Sequence, residues 1–198
     1  MNSALVAILM ALGLVRFQGI GPASVQLGNL LLLFAATLLQ GANEEIIFRG
    51  WFFPALSRHY GKWFGLVASA CFFGLLHILS GYQDAGLVLN IVLFGAFLCL
   101  YVWEKGRIWG AIGIHGMNNF LLTGVLVLDT ANPAAQTFGL FVFDSPSPAL
   151  SAGLMGSWQA SVLYGGLVLL MVIRRLRKDW KKDQTAGRKQ SKNSLKQF

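Results

Sequence analysis

The sequence NLLLLFAATLLQGANEEIIFRGWF, residues 29–52, decides how the rest of the chain is interpreted. Its first part, 29–39, is almost wholly apolar, which is typical of a helix in the hydrocarbon interior of a bilayer. Two glutamates and an arginine follow, although moving a charge out of water is costly. The stretch therefore predicts a membrane helix that carries Glu44, Glu45 and Arg49 for a specific reason.

The composition of the whole chain indicates the same class of protein. Of 198 residues, 55% are hydrophobic and 12% are charged, and the apolar residues form long blocks. We therefore expect an all-α, polytopic membrane protein with about six transmembrane helices around an intramembrane polar cavity. The runs that come near the length of a bilayer span are 3–15, 28–47, 63–80, 86–103, 108–128 and 157–173.

The segment 28–57 is longer than the second of these spans. As one straight helix it would extend ~45 Å, which exceeds the hydrocarbon core. We therefore expect a bend, after which the chain turns along the cytoplasmic interface. This arrangement would place Glu44 to Arg49 toward the cytoplasmic end of the span.

The positive charge is concentrated at the C-terminus. Ten of the 16 Lys and Arg residues lie between Arg174 and Lys196, so the net charge of +8 does not indicate a nucleic-acid partner. This segment lacks the apolar residues needed for a core of its own. We expect a membrane-embedded domain at 1–173 and a basic, disordered cytoplasmic tail at 174–198.

The other basic residues predict the orientation in the membrane. With the tail in the cytoplasm, the linkers that contain Arg58, Lys62, Lys105 and Arg107 also face the cytoplasm. The sequence therefore predicts a multi-pass protein of the cell (inner) membrane, with both termini cytoplasmic and the lipid bilayer as its surroundings.

The glutamates differ in their helical positions. Glu45 and Arg49 are four residues apart and share a helix face, so they can neutralise each other. Glu44 is turned about 100° away and needs another partner. The pair is compatible with joining two helices, with orienting a functional site, or with both.

Two further pairs with the same spacing lie in other spans. His77 comes four residues after Phe73, and His115 comes four residues before Asn119. An imidazole and an amide on one face can direct two donors to one point, as a developing oxyanion requires, although each pair could also simply join helices. Together with Glu44, these groups on three spans form a set that a purely structural protein would have little reason to bury.

The ordered motifs EExxxR at 44–49, FxxxH at 73–77 and HxxxN at 115–119 resemble those of the CAAX-protease and bacteriocin-processing (CPBP, or Abi) family of intramembrane proteases. The resemblance implies an all-helical membrane enzyme. Its substrate would be a membrane-associated peptide or protein, cut near a prenylated or hydrophobic C-terminal segment. Few spans precede the first motif, so the substrate stays open.

Roles can be carried over from this resemblance residue by residue. Glu44 with His77 would activate a water, and His115 with Asn119 would hold the oxyanion. The supporting residues would be Glu45, Arg49 and Phe73.

Alternatives to this scheme remain at the level of sequence. The set His77, His115 and Glu44 matches the ligands of a catalytic zinc, but HExxH is absent, so we favour a site without a cofactor. A catalytically silent immunity or peptide-binding protein would also use buried polar groups. A small proton-coupled transporter would use the carboxylates as a proton relay.

Overall fold

The computed structural model describes residues 2–21, 27–82, 84–128, 139–145, 150 and 153–194. Most of this chain is helical, which confirms the predicted all-α class. Two π-helical segments, Ile46–Phe52 and Leu121–Val125, directly continue α2 and α6. The helices are α1 Asn2–Ala11, α2 Leu27–Glu45, α3 Phe53–Tyr60, α4 Lys62–Leu79, α5 Ala85–Lys105, α6 Trp109–Phe120 and α7 Trp158–Ser194.

Four helical stretches in the described chain are long and apolar enough to cross a bilayer, compared with the six spans expected. They are Leu27–Tyr60, Lys62–Leu79, Ala85–Lys105 and Trp158–Lys181. The predicted span 3–15 contains only the 10-residue α1, because the chain leaves the helix near Gly13, at φ +72°. The predicted span 108–128 contains the 12-residue α6, which passes through a π-helical turn into a strand.

The surface of these stretches is apolar. Large side chains such as Leu31, Leu32, Leu39, Ile46 and Ile47 are exposed although they belong to the longest stretch. In water such a surface would be unfavourable, whereas lipid chains solvate it. The protein is therefore an integral membrane protein, as the sequence predicts.

The segment in which the sequence predicts a bend belongs to one helical stretch of 34 residues, Leu27–Tyr60. Glu45 and Phe53, at the two junctions, both keep right-handed helical backbone angles. The intervening chain widens into π-helical turns, and Pro54 falls in the first turn of α3, where a missing N–H is tolerated. Glu44 to Arg49 therefore lie in the middle of a long helix, and not at its end.

The packing of α5, α4 and α7 gives the bundle two distinguishable ends. Trp103, near the end of α5, has the Lys62 ammonium 5.5 Å and the Arg175 guanidinium 4.6 Å from its ring. At the other end of α5, Asn90 donates hydrogen bonds to the carbonyl oxygens of Met155 and Ser157. Basic residues thus gather at one end, which we call the basic end.

A small sheet, which the sequence analysis does not predict, lies against α1. Its order is β1-β3-β2, with β1 Arg16–Ile20 antiparallel and β2 Leu126–Val127 parallel to β3 Phe141–Asp144. These strands are too short to give a clear alternating pattern. A separate apolar cluster joins them to α1 and contains Val6, Leu9, Val15, Leu126, Leu128, Phe143, Leu150 and Leu154.

The last helix continues past residue 173, where the predicted tail begins. Its backbone is helical to Ser194, in keeping with the helix preference of Lys, Arg, Gln and Ala. The division into a membrane domain at 1–173 and a tail at 174–198 stays a prediction.

Candidate active site

The predicted pair of Glu45 and Arg49 is buried at the centre of the bundle. Arg49 Nη1 lies 2.8 Å from Glu45 Oε1, and both side chains have 0% exposure. Arg49 also donates from Nη2 to the Gly95 carbonyl oxygen at 2.9 Å, and its guanidinium lies 4.6 Å from the Phe73 ring centroid. The arginine therefore joins α2 and its continuation to α4 and α5.

His115 meets both glutamates. Its Nδ1 lies 2.8 Å from Glu45 Oε1, and its Nε2 lies 3.7 Å from Glu44 Oε2. Sequence reasoning leaves Glu44 in need of a partner, and the structure brings it two. His115 is one, and Gln40, which the sequence analysis missed, is the other, since its Nε2 donates to Glu44 Oε1 at 3.2 Å.

The contact between α2 and α6 depends on two glycines. A Cβ atom on Gly41 would lie 2.8 Å from Gly116 N, and one on Gly116 would lie 2.8 Å from Leu38 Cα. Both distances are too short for a side chain, so only glycine allows this approach of the backbones. Because His115 immediately precedes Gly116, the close approach brings the imidazole to the glutamates.

His77 belongs to the same site but is held separately. Its Nδ1 lies 2.8 Å from the Phe73 carbonyl oxygen, which can only accept, so Nδ1 donates and Nε2 is left toward other partners. The Phe73 ring lies 4.6 Å from the His77 ring and 6.0 Å from the His115 ring. Phe73 therefore separates and supports the two histidines.

A cavity of about 540 Å³ is lined by both histidines and Phe73, whereas neither glutamate is among the described residues that line it. Its polar wall includes His77, His115, Asn119 and Gln40, whereas most of the rest is apolar. Segments at the end of the bundle that lies away from Trp103 also line the cavity. These lining residues are Tyr82, Leu126, Val127, Leu128, Gly153, Leu154 and Met155.

Asn119 lies beside a second amide to which the sequence analysis assigns no role. Asn118 Nδ2 is 3.5 Å from Asn119 Oδ1, and Asn118 Oδ1 accepts from the Tyr164 hydroxyl at 3.1 Å. Adjacent amides in a span give a weak signal, and nothing in the local sequence links them to α7.

The candidate zinc ligands do not form a metal-binding group. Within the ranges that the structure describes, no three His, Cys, Asp or Glu side chains are arranged to hold a metal ion. His115 has both ring nitrogens directed at carboxylates. The preference for a site without a cofactor stays a prediction.

A search of protein families supports the resemblance. Residues 26–121 match the sequence model of the family described as type II CAAX prenyl endopeptidase Rce1-like, and this range contains all three motifs. The predicted resemblance to the CAAX-protease family is thereby confirmed. Neither curated proteins nor solved structures gave a match to the chain.

Proposed function

We propose, from the similarity of residues 26–121 to the Rce1-like CAAX-protease family, that this chain is a glutamate-dependent intramembrane endopeptidase. The observation that carries the proposal is the contact of Glu44 Oε2 with His115 Nε2 at 3.7 Å, because His115 lines a cavity together with His77 and Asn119. The two imidazoles and the amide that line this cavity, with the Glu44 carboxylate 3.7 Å from one of the imidazoles, supply what peptide hydrolysis requires.

Glu44 is the proposed general base. A water bonded to its carboxylate would transfer a proton to it as the oxygen attacks the carbonyl carbon of the substrate. Gln40 holds one carboxylate oxygen, which supports this role because the other oxygen then faces His115. The attack converts the planar carbonyl into a tetrahedral oxyanion.

His115 and Asn119 are the proposed oxyanion partners. Glu45 accepts a hydrogen bond from His115 Nδ1 at 2.8 Å and thereby keeps Nε2 in place. In this scheme His115 acts as an imidazolium, since only that form also carries a hydrogen on Nε2 to donate to the oxyanion. Asn119 contributes its side-chain amide from one turn further along α6 and its π-helical continuation. Preorganised donors of this kind stabilise developing charge without having to reorganise.

His77 completes the proton transfers in this scheme. Its Nε2 is the free ring nitrogen, since Nδ1 is occupied by the Phe73 carbonyl oxygen. We assign it to share the proton taken up by Glu44 and to deliver it to the departing amine as the C–N bond breaks. One water is consumed, and the products are a carboxylate and an amine.

We also propose that both termini are cytoplasmic. Lys62 and Arg175 lie against Trp103, and Lys178 pairs with Glu104, so the basic residues of three segments meet at one end. In this orientation the cavity lies toward the outer half of the membrane. Cysteines introduced at 129–156 should label from outside the cell, and labelling only after permeabilisation would reverse the orientation.

The substrate is proposed to be a membrane-associated peptide or protein. The test compares membrane proteomes from cells with the wild-type chain, with Glu44→Gln and with Glu104→Gln as the matched control. We expect an uncut precursor with its C-terminal hydrophobic segment to accumulate only in Glu44→Gln. No difference in any peptide would instead favour a catalytically silent partner.

A further inference from the structure

Tyr164 places a buried hydroxyl next to the candidate active site from outside the family-matched region. It lies on α7, is 1% exposed, and has its hydroxyl 3.1 Å from Asn118 Oδ1 and 3.3 Å from Met155 Sδ. Because a thioether sulfur is a weak acceptor, we assign the hydroxyl hydrogen to the amide oxygen. None of the three motifs includes it, and the match ends at residue 121. The contact therefore links the site to a helix that the motif residues do not reach.

The hydroxyl fixes which way the Asn118 amide faces. A hydroxyl hydrogen directed at Oδ1 requires the oxygen of Asn118 to point toward α7. The Nδ2 group then faces Asn119, whose Oδ1 lies 3.5 Å away. The two contacts set up one direction of donation, from Tyr164 through Asn118 to Asn119.

The same chain of contacts orients Asn119. An amide that accepts through Oδ1 keeps its Nδ2 for another acceptor, and Asn119 lines the cavity. Amide dipoles aligned in series also polarise one another. The last donor in the series is the Asn119 NH2 group, and this is the group that would donate to an oxyanion.

We propose that Tyr164 is a positioning residue for hydrolysis, acting through Asn118 to hold Asn119 with its NH2 group toward the reacting carbonyl. This inference rests on the proposed function, in which Asn119 is an oxyanion donor. Tyr164 touches no reacting atom, so its effect must pass through Asn119.

The packing of the ring allows a clean variant. The Tyr164 ring centroid lies 5.5 Å from that of Phe94, which in turn lies 5.4 Å from the His115 ring. Tyr164→Phe keeps this aromatic packing and removes only the hydroxyl. Tyr101→Phe is the matched control, because Tyr101 packs in the same apolar cluster but its hydroxyl makes no hydrogen bond within the described part of the chain.

The first measurement is a double-mutant cycle on kcat for a cleaved substrate. Tyr164→Phe should lower kcat about tenfold, the scale of one ordinary hydrogen bond, and leave KM little changed. Asn119→Ala alone should lower kcat by about 10²–10³-fold, and the double variant should be no slower than Asn119→Ala. Additive losses would overturn the inference, since Tyr164 would then act independently of Asn119.

The second measurement does not need activity. In asparagine-labelled protein, the side-chain NH2 resonance of Asn119, assigned by its loss in Asn119→Ala, should shift in Tyr164→Phe and stay in place in Tyr101→Phe. An unchanged resonance in Tyr164→Phe would overturn the inference. Absence of cleavage by the wild-type protein would count against the proposed function instead, and the resonance would still decide the role of Tyr164.

Discussion

The molecule contains two ion pairs with the same spacing in sequence and opposite surroundings. Glu45 and Arg49 are 2.8 Å apart with 0% exposure on both side chains, whereas Arg175 and Asp179 are 3.0 Å apart with exposures of 21% and 39%. Both pairs join residues four apart on a helix. Because spacing and distance are nearly the same in both pairs, local geometry does not distinguish them. The difference between the pair in the candidate site and the pair at the surface is burial.

The buried pair is not arranged for stability alone. Glu45 Oε2 and Arg49 Nε are buried and have no hydrogen-bond partner within the described residues. An ion pair of this kind is often no more stabilising than apolar side chains of the same volume. The presence of the buried pair is better explained by a role in holding His115, whose Nδ1 contacts Glu45 Oε1.

The largest expected effect separates the buried histidines from the third histidine of the chain. His115→Ala and His77→Ala should each abolish cleavage. The first variant loses a donor to the oxyanion, and the second loses the group that carries the proton to the departing amine. His59→Ala should keep full activity, since His59 is exposed on α3. Turnover of a purified substrate is the measurement, with protein yield as the check on folding. Full activity in His115→Ala would break the assignment.

The next effect compares the two arginines directly. Arg49→Ala leaves Glu45 buried without its cation and should lower the free energy of unfolding by about 3–5 kcal/mol. Arg175→Ala removes a partly exposed ion pair and a cation–π contact with Trp103, so the loss should be at most about 1–2 kcal/mol. Unfolding in a mixed-micelle titration measures both. Equal losses would show that burial does not distinguish the pairs.

A smaller effect tests the contact that brings the histidine to the glutamates. Gly116→Ala adds a Cβ atom 2.8 Å from Leu38 Cα, and overpacking of this kind costs about 1–3 kcal/mol. Since the shift moves α6 away from α2, activity should fall along with the melting temperature.

Gly113→Ala on the same helix is the control for that variant. A Cβ atom there meets nothing within 4 Å, and alanine favours helix over glycine by about 1 kcal/mol, so stability should hold or rise. An active, fully stable Gly116→Ala would contradict the close contact between the helices.

Local spacing predicted those features of the site that lie on one helix. The pairs Glu45 with Arg49 and Phe73 with His77 are present because residues four apart share a face. The predicted span 63–80 also agrees with α4, Lys62–Leu79, to one residue at each end. Apolar length and periodicity are sufficient for these predictions.

Contacts between distant segments could not be predicted in this way. The approach of Gly41 to Gly116 and the link from Tyr164 to Asn118 join residues far apart in sequence, and one chain gives no periodic signal for them. The contact of Glu44 with His115 at 3.7 Å is of the same kind, since no spacing along the chain reveals it. The π-helical turns likewise depend on tertiary packing, because local propensity favours ordinary α-helix.

The most direct test of the central claim, a water activated by Glu44 without a metal, is cleavage by the purified protein after exhaustive chelation. Metal content is measured on the same sample, and Glu44→Gln serves as the inactive reference. The account predicts that chelated wild-type protein keeps its full rate with no stoichiometric metal. Stoichiometric zinc, with activity lost on stripping and regained when zinc is returned, would contradict it and reassign His77 and His115 as ligands.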